Sequence, residues 1–240
     1  MGRPKDMLVL KKERKKRQTM YIQLNGQVIY YEKTGEGSPV ILVHGNGETH
    51  KIFDVLIPAL SKQRTVYAMD SRGHGLSAAV SEYHYADMAE DVAAFVQALD
   101  LVRPAFYGFS DGGIVGLIAA IRYPALFSCL AISGANLTPY GWKFYAKLSV
   151  RLGYLKNKNP LARLMLKEPS ITKAELSKIT VPSLVLAGAK DIIKKSETKR
   201  IADGIPNSTL KILPGENHFS YVVHSPKLFP LLDDFFEKHS

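Results

Sequence analysis

From Pro39 to Leu213 the chain repeats one pattern that few architectures accommodate. Short apolar runs without polar alternation occur at Val40–Val43, Thr65–Met69, Ala105–Phe109, Cys129–Ile132 and Leu184–Ala187, with a weaker one at Thr209–Leu213. A strand that buries one face alternates apolar and polar residues. Runs like these suit strands covered on both faces, as in a parallel sheet between helices. Helical spacing fills the gaps at Ile52–Leu60, Ala86–Leu99, Gly113–Ile121, Ser196–Ile201 and Pro226–Phe236. Strands alternating with helices imply βαβ units with right-handed crossovers. Ahead of them, Tyr21–Leu24 and Gln27–Tyr31 flank Asn25-Gly26, a pair that accepts the positive φ angles of a type I′ hairpin turn.

One segment breaks the rhythm. After Ser133 the next strand-like run begins only near Pro182, and between them lie Tyr140, Trp142, Phe144, Tyr145 and Tyr154 among many Lys and Arg. An insertion of that length is functional or separately structured. It reads as a small helical cap over the sheet's C-terminal edge, at about 136–180, within a single domain over 19–240. Trp142 and Tyr145 are the cap aromatics expected to touch substrate.

Charge matters here because the net value of +10 suggests a nucleic-acid partner until it is mapped. Residues 1–18 hold eight basic and two acidic residues, whereas the rest of the chain has 24 and 20. The basicity is therefore a property of a leader at 1–18, and the domain itself is expected to bind no nucleic acid. The leader reads as a solvated segment. An arm for an anionic surface, or translation starting at Met20, are the alternatives.

No stretch approaches ~18 consecutive apolar residues, so no membrane span is expected. Met7–Leu10 is too short for a secretory core. The single Cys129 sits in an apolar run and reads as a small buried hydrophobe, with no internal disulfide open to it. Together these features point to the cytoplasm. Oligomeric state leaves no mark on the sequence.

The chemistry concentrates in Gly108-Phe109-Ser110-Asp111-Gly112, a G-x-S-x-G string with a strand before it and a helix after it. A serine on so sharp a turn needs small neighbours two positions away. Such a turn lifts Oγ above the sheet edge at a helix N-terminus, where developing negative charge is favoured. A serine hydroxyl also needs an oriented base.

Of the three histidines downstream, His239 is one residue from the end and His224 lies near the start of the last helix. His218 follows the Thr209–Leu213 strand and is the expected base. Asp191 follows Leu184–Ala187 and is the expected acid, because the loop after Cys129–Ile132 offers no carboxylate. Two backbone N–H donors should face the oxyanion, one from Asp111 and one from Asn46 in His44–Glu48.

Asp111 admits a second role. Beside the nucleophile, its carboxylate would attract an amine-bearing acyl group, or else simply complement the helix N-terminus. His44 reads as a residue that pins its loop. Asp70 and His74 read as part of a turn with an Arg–carboxylate network rather than a metal site, since no further ligand at suitable spacing joins them.

These residues, taken with Asp70-x-Arg72-Gly73-His74-Gly75-x-Ser77, Gly188-Ala189-Lys190-Asp191 and Asn217-His218, give the chain from Tyr21 to about Phe236 a resemblance to the α/β-hydrolase superfamily, in its small esterase and lactonase branch. Gly108 through Ile114, Tyr123-Pro124 and Gly134-Ala135-Asn136 look especially like its valacyclovir hydrolase-like members, which cleave amino-acid esters. The resemblance implies an α/β-hydrolase fold, with a mostly parallel central sheet, helices on both faces and a small cap.

It also implies two-step acyl transfer on a small-molecule ester or lactone by Ser110, His218 and Asp191, with neither metal nor organic cofactor. Carbon–carbon bond hydrolysis by the same triad, and a ligand-binding homologue with little turnover, stay open. Dehalogenase and epoxide-hydrolase chemistry is disfavoured, because those relatives carry Asp where this chain has Ser110.

Overall fold

The computed structural model describes residues 18–240, so the basic leader lies outside the described residues except for Gln18. Eight strands form one sheet: β1 (Gln18–Leu24), β2 (Gln27–Thr34), β3 (Ser38–Val43), β4 (Arg64–Met69), β5 (Ala105–Phe109), β6 (Leu130–Ser133), β7 (Ser183–Gly188) and β8 (Ser208–Leu213). Their spatial order is β1-β2-β4-β3-β5-β6-β7-β8. β1 and β2 pair antiparallel, as do β2 and β4, and every later pairing is parallel. The hairpin turn has φ of +48° at Asn25 and +75° at Gly26, the double positive that the Asn-Gly pair accommodates.

The missing alternation in the apolar runs has its explanation in two cores. Ile41, Val43, Phe106, Leu130, Ile132 and Val185 face one core, which also contains α2 (Tyr85–Ala98) and α3 (Asp111–Arg122). Val40, Leu42, Ala105, Tyr107, Cys129 and Leu184 face the other, under α1 (Leu56–Leu60) and α8 (Phe229–His239). Successive residues of one strand point to opposite faces, so a strand buried twice is apolar throughout.

The region expected as one helix at Ile52–Leu60 is instead a 3₁₀ turn, His50–Phe53, followed by α1.

Three helices lie between β6 and β7: α4 (Phe144–Asn157), α5 (Pro160–Lys167) and α6 (Lys173–Leu176). α4 and α5 pack against each other, and Leu164 of α5 reaches the core that contains α2 and α3. Ile171, Leu176 and Ile179 join the main core, so the last part of the expected insertion packs as body. A capping box between Thr172 and Glu175 opens α6. The remaining helix, α7 (Lys195–Gly204), joins β7 to β8. Among the described residues no helix is long and apolar enough to cross a membrane.

Candidate active site

β5 turns into α3 at Ser110, whose φ of +52° and ψ of −112° are strained for a residue with a side chain. Two glycines make the turn possible. A Cβ on Gly108 would stand 2.2 Å from the Gly112 carbonyl oxygen, and one on Gly112 would stand 2.2 Å from that of Val43. Backbone lies on both sides, so a side chain at either position forces β3, β5 and α3 apart.

His218 hangs from the loop after β8. Its Nε2 lies 3.2 Å from Ser110 Oγ, and its Nδ1 lies 2.7 Å from Asp191 Oδ1. Asp191 is on the loop after β7, where its Oδ1 also accepts from the Ile193 amide at 2.9 Å. His218 and Asp191 are 3% and 2% exposed. An Nδ1–H donated to the carboxylate leaves Nε2 to accept the serine proton.

The imidazole is held on several sides. Phe109 and Phe219 approach it with ring centroids 4.9 and 4.8 Å away. A Cβ on Gly134, which has φ of +63°, would fall 2.6 Å from His218 Cε1. Gly188 leaves room for the carbonyls of Glu216 and Asn217, each 2.5 Å from where its Cβ would be.

The loop after β3 lies against Ser110, because a Cβ on Gly45 would be 3.1 Å from Ser110 Cβ. Asn46 comes next. Its side-chain amide donates to Asp111 Oδ2 at 2.8 Å and reaches the Leu161 carbonyl of α5 at 3.5 Å. Asp111 Oδ1 accepts from the Tyr85 hydroxyl at 2.8 Å. Both carboxylate oxygens of Asp111 therefore have donors, and burial pushes its carboxyl above the usual range.

His44 pins the loop. Its Nδ1 lies 2.7 Å from the Gly45 carbonyl, and its Nε2 accepts from the Ser71 amide at 3.0 Å. Burial lowers this imidazole to about 4, which keeps it neutral.

Two side chains at the site escaped the sequence reading. Glu48 Oε2 accepts the Gly45 N–H at 3.0 Å, and burial raises its carboxyl to about 7. A carboxylate three residues past Gly45, in the loop after β3, is the available signal. Tyr85 reaches Asp111 from 26 positions away, and no local pattern announces such a contact.

The Asp70 cluster is a turn network. Asp70 Oδ1 lies 2.8 Å from the His50 amide nitrogen and 2.7 Å from His50 Nδ1, while Oδ2 accepts from the Leu76 amide. Arg72 makes a two-pronged pair with Asp91 at 2.7 Å on each arm. His224 is exposed and lies 2.8 Å from Asp54.

Of the cap aromatics, Trp142 is half-buried and bridges to Ile193, two residues past Asp191. Its buried indole N–H has no acceptor among the described residues. Tyr145 is not brought to this group. It is 58% exposed beside Phe144, because α4 turns Ala146 inward and this side out.

Comparison with known proteins agrees with the geometry. The family model described as alpha/beta hydrolase fold matches residues 38–152. Serine hydrolase BPHL of Homo sapiens is 27% identical over 250 residues, covering 90% of this chain and 85% of that protein. AB hydrolase superfamily protein YisY of Bacillus subtilis is 29% identical, with 90% and 98% covered. Among solved structures, the enol-lactonase from Burkholderia xenovorans LB400 superposes with a TM-score of 0.77 at 21% identity, over 91% of this chain and 100% of that one.

Proposed function

The chain belongs to the α/β-hydrolase superfamily, and we propose that it is a serine hydrolase that cleaves small carboxylic esters through an acyl-enzyme. One observation carries the reading: a strained serine at a helix N-terminus within 3.2 Å of an imidazole that is itself bonded to a buried carboxylate. Ser110 Oγ attacks the ester carbonyl as its proton passes to His218 Nε2. Asp191 fixes the tautomer and faces the imidazolium that forms.

The carbonyl oxygen becomes an oxyanion, held by the backbone amides of Asn46 and Asp111. His218 then protonates the leaving alcohol. Water, deprotonated by the same imidazole, attacks the acyl-enzyme, and expulsion of Ser110 frees the acid. A lactone fits the same steps, its alcohol staying tethered to the acyl group. Trp142, with its unpartnered indole N–H beside the Asp191 loop, is the cap residue we place against substrate.

A fluorophosphonate probe tests the reading. It should label the wild type, and Ser110→Ala should abolish both labelling and turnover in a panel of p-nitrophenyl esters and lactones. An unlabelled, folded wild type would instead make this a binding protein with a hydrolase pocket.

A further inference from the structure

The cap carries a second feature unrelated to the triad. Phe144, Leu148, Leu152 and Leu155 are 80%, 40%, 57% and 56% exposed on α4. At 3.6 residues per turn they fall within an arc of about 80°. Lys147 and Arg151 border that arc on one side and Lys156 on the other, while Ala146 on the opposite side is buried. An outward apolar stripe of this size on a helix marks an interaction surface.

Charge identifies the partner. From Gly112 to Lys167 the chain contains no acidic residue, and the cap from 134 to 167 holds seven Lys and Arg. Arg163 pairs with Glu82 at 3.3 Å, but Arg151 and Lys156 have no carboxylate within 4.0 Å among the described residues. A second copy would set two such faces together, like charge against like. The basic N-terminal residues carry the same sign. An apolar stripe bordered by lysine and arginine matches a surface that is apolar beneath and anionic above.

We propose that α4 docks the protein on an anionic lipid bilayer, with Phe144 and the three leucines entering the headgroup–acyl boundary and Arg151 and Lys156 meeting lipid phosphates. The docking helix begins beside the site, since the Lys143 amide donates to the Ile192 carbonyl at 2.8 Å.

The test uses the full chain and vesicles of phosphatidylglycerol mixed with phosphatidylcholine, with binding read by co-sedimentation. The wild type should bind these vesicles at least tenfold more tightly than phosphatidylcholine alone. The F144S/L148S/L152S and R151E/K156E variants should each weaken binding at least tenfold, while far-UV circular dichroism and hydrolysis of a short water-soluble ester stay as in the wild type.

Salt-sensitive binding that the serine variant retains in full would assign the affinity to charge elsewhere and overturn the proposal. Absence of wild-type binding would overturn it too. So would a dimer in sedimentation velocity that the serine variant loses while lipid is ignored, or capture of an acidic polypeptide in place of vesicles.

Discussion

Asp111 follows Ser110, the nucleophile we propose, and its environment separates two roles that the sequence leaves open. A carboxylate meant to hold a substrate amine needs a free oxygen facing the pocket. This one has Asn46 on one oxygen and Tyr85 on the other, and it is 5% exposed. That favours a positioning residue, which orients Asn46 and through it the loop after β3. Asp111→Asn should lower kcat for an α-amino ester and for its des-amino analogue by the same factor. A selective loss on the amino ester, measured as the ratio of kcat/KM values, would return Asp111 to direct substrate binding.

Glu48 gives a prediction of another kind. Its folded carboxyl titrates near 7, above the usual value of about 4.3. A raised carboxyl favours the folded state most fully below the unfolded value, and that contribution is lost as pH rises through the folded one. Glu48→Gln keeps an acceptor for the Gly45 N–H without the titration. Its Tm should gain on the wild type between about pH 4.3 and 7, measured by thermal melts across that range. A Tm difference that does not change with pH would show that Glu48 keeps an ordinary pKa.

Local chemistry explains most of the elements. Asn25-Gly26 makes a turn with two positive φ angles, and Thr172 with Glu175 caps a helix too short to persist by itself. The elbow was legible for the same reason: glycines two positions either side of Ser110 are a steric demand that any sequence must meet.

The loop after β6 shows where local reading stops. Nothing within Ser133-Gly134-Ala135 indicates that a histidine 84 positions later occupies the space above Gly134. Gly134→Ala combines a left-handed backbone with a Cβ 2.6 Å from His218 Cε1. It should push the imidazole away from Ser110, lowering kcat about 10²-fold or more with a smaller change in KM. Steady-state kinetics on a p-nitrophenyl ester would check this, and unchanged kcat would mean that His218 is not held by that contact.

At the scale of the molecule, strand order builds the site. β5 lies between β3 and β6, with β7 and β8 beyond, so the loops after β3, β5, β6, β7 and β8 all open on one edge. Ligands of open α/β sheets bind outside the carboxyl ends of the strands, and Ser110, Asp191 and His218 gather there. The rigidity of that edge depends on two cores. Phe95 is fully buried and meets Tyr31 and Tyr67 edge-on at 4.9 and 5.9 Å. Phe95→Ala should cost about 3–5 kcal/mol through the cavity it leaves, a fall in Tm of roughly 6–20 °C for a chain of this length. Calorimetry would measure it, and a smaller loss would mean that the face against α2 collapses into the gap.

The same contrast separates sequence from structure. Periodicity, glycine spacing and the order serine–acid–histidine are written locally, because backbone sterics and two-sided burial act on neighbouring residues. They determine the strands, the elbow and the identity of Ser110, Asp191 and His218 as candidates. The tertiary structure alone decided that Tyr85 braces Asp111, that Tyr145 faces outward and that Ile171–Ile179 belongs to the body. Each of these depends on which distant surfaces meet once the sheet is assembled, and no spacing along the chain encodes such a meeting.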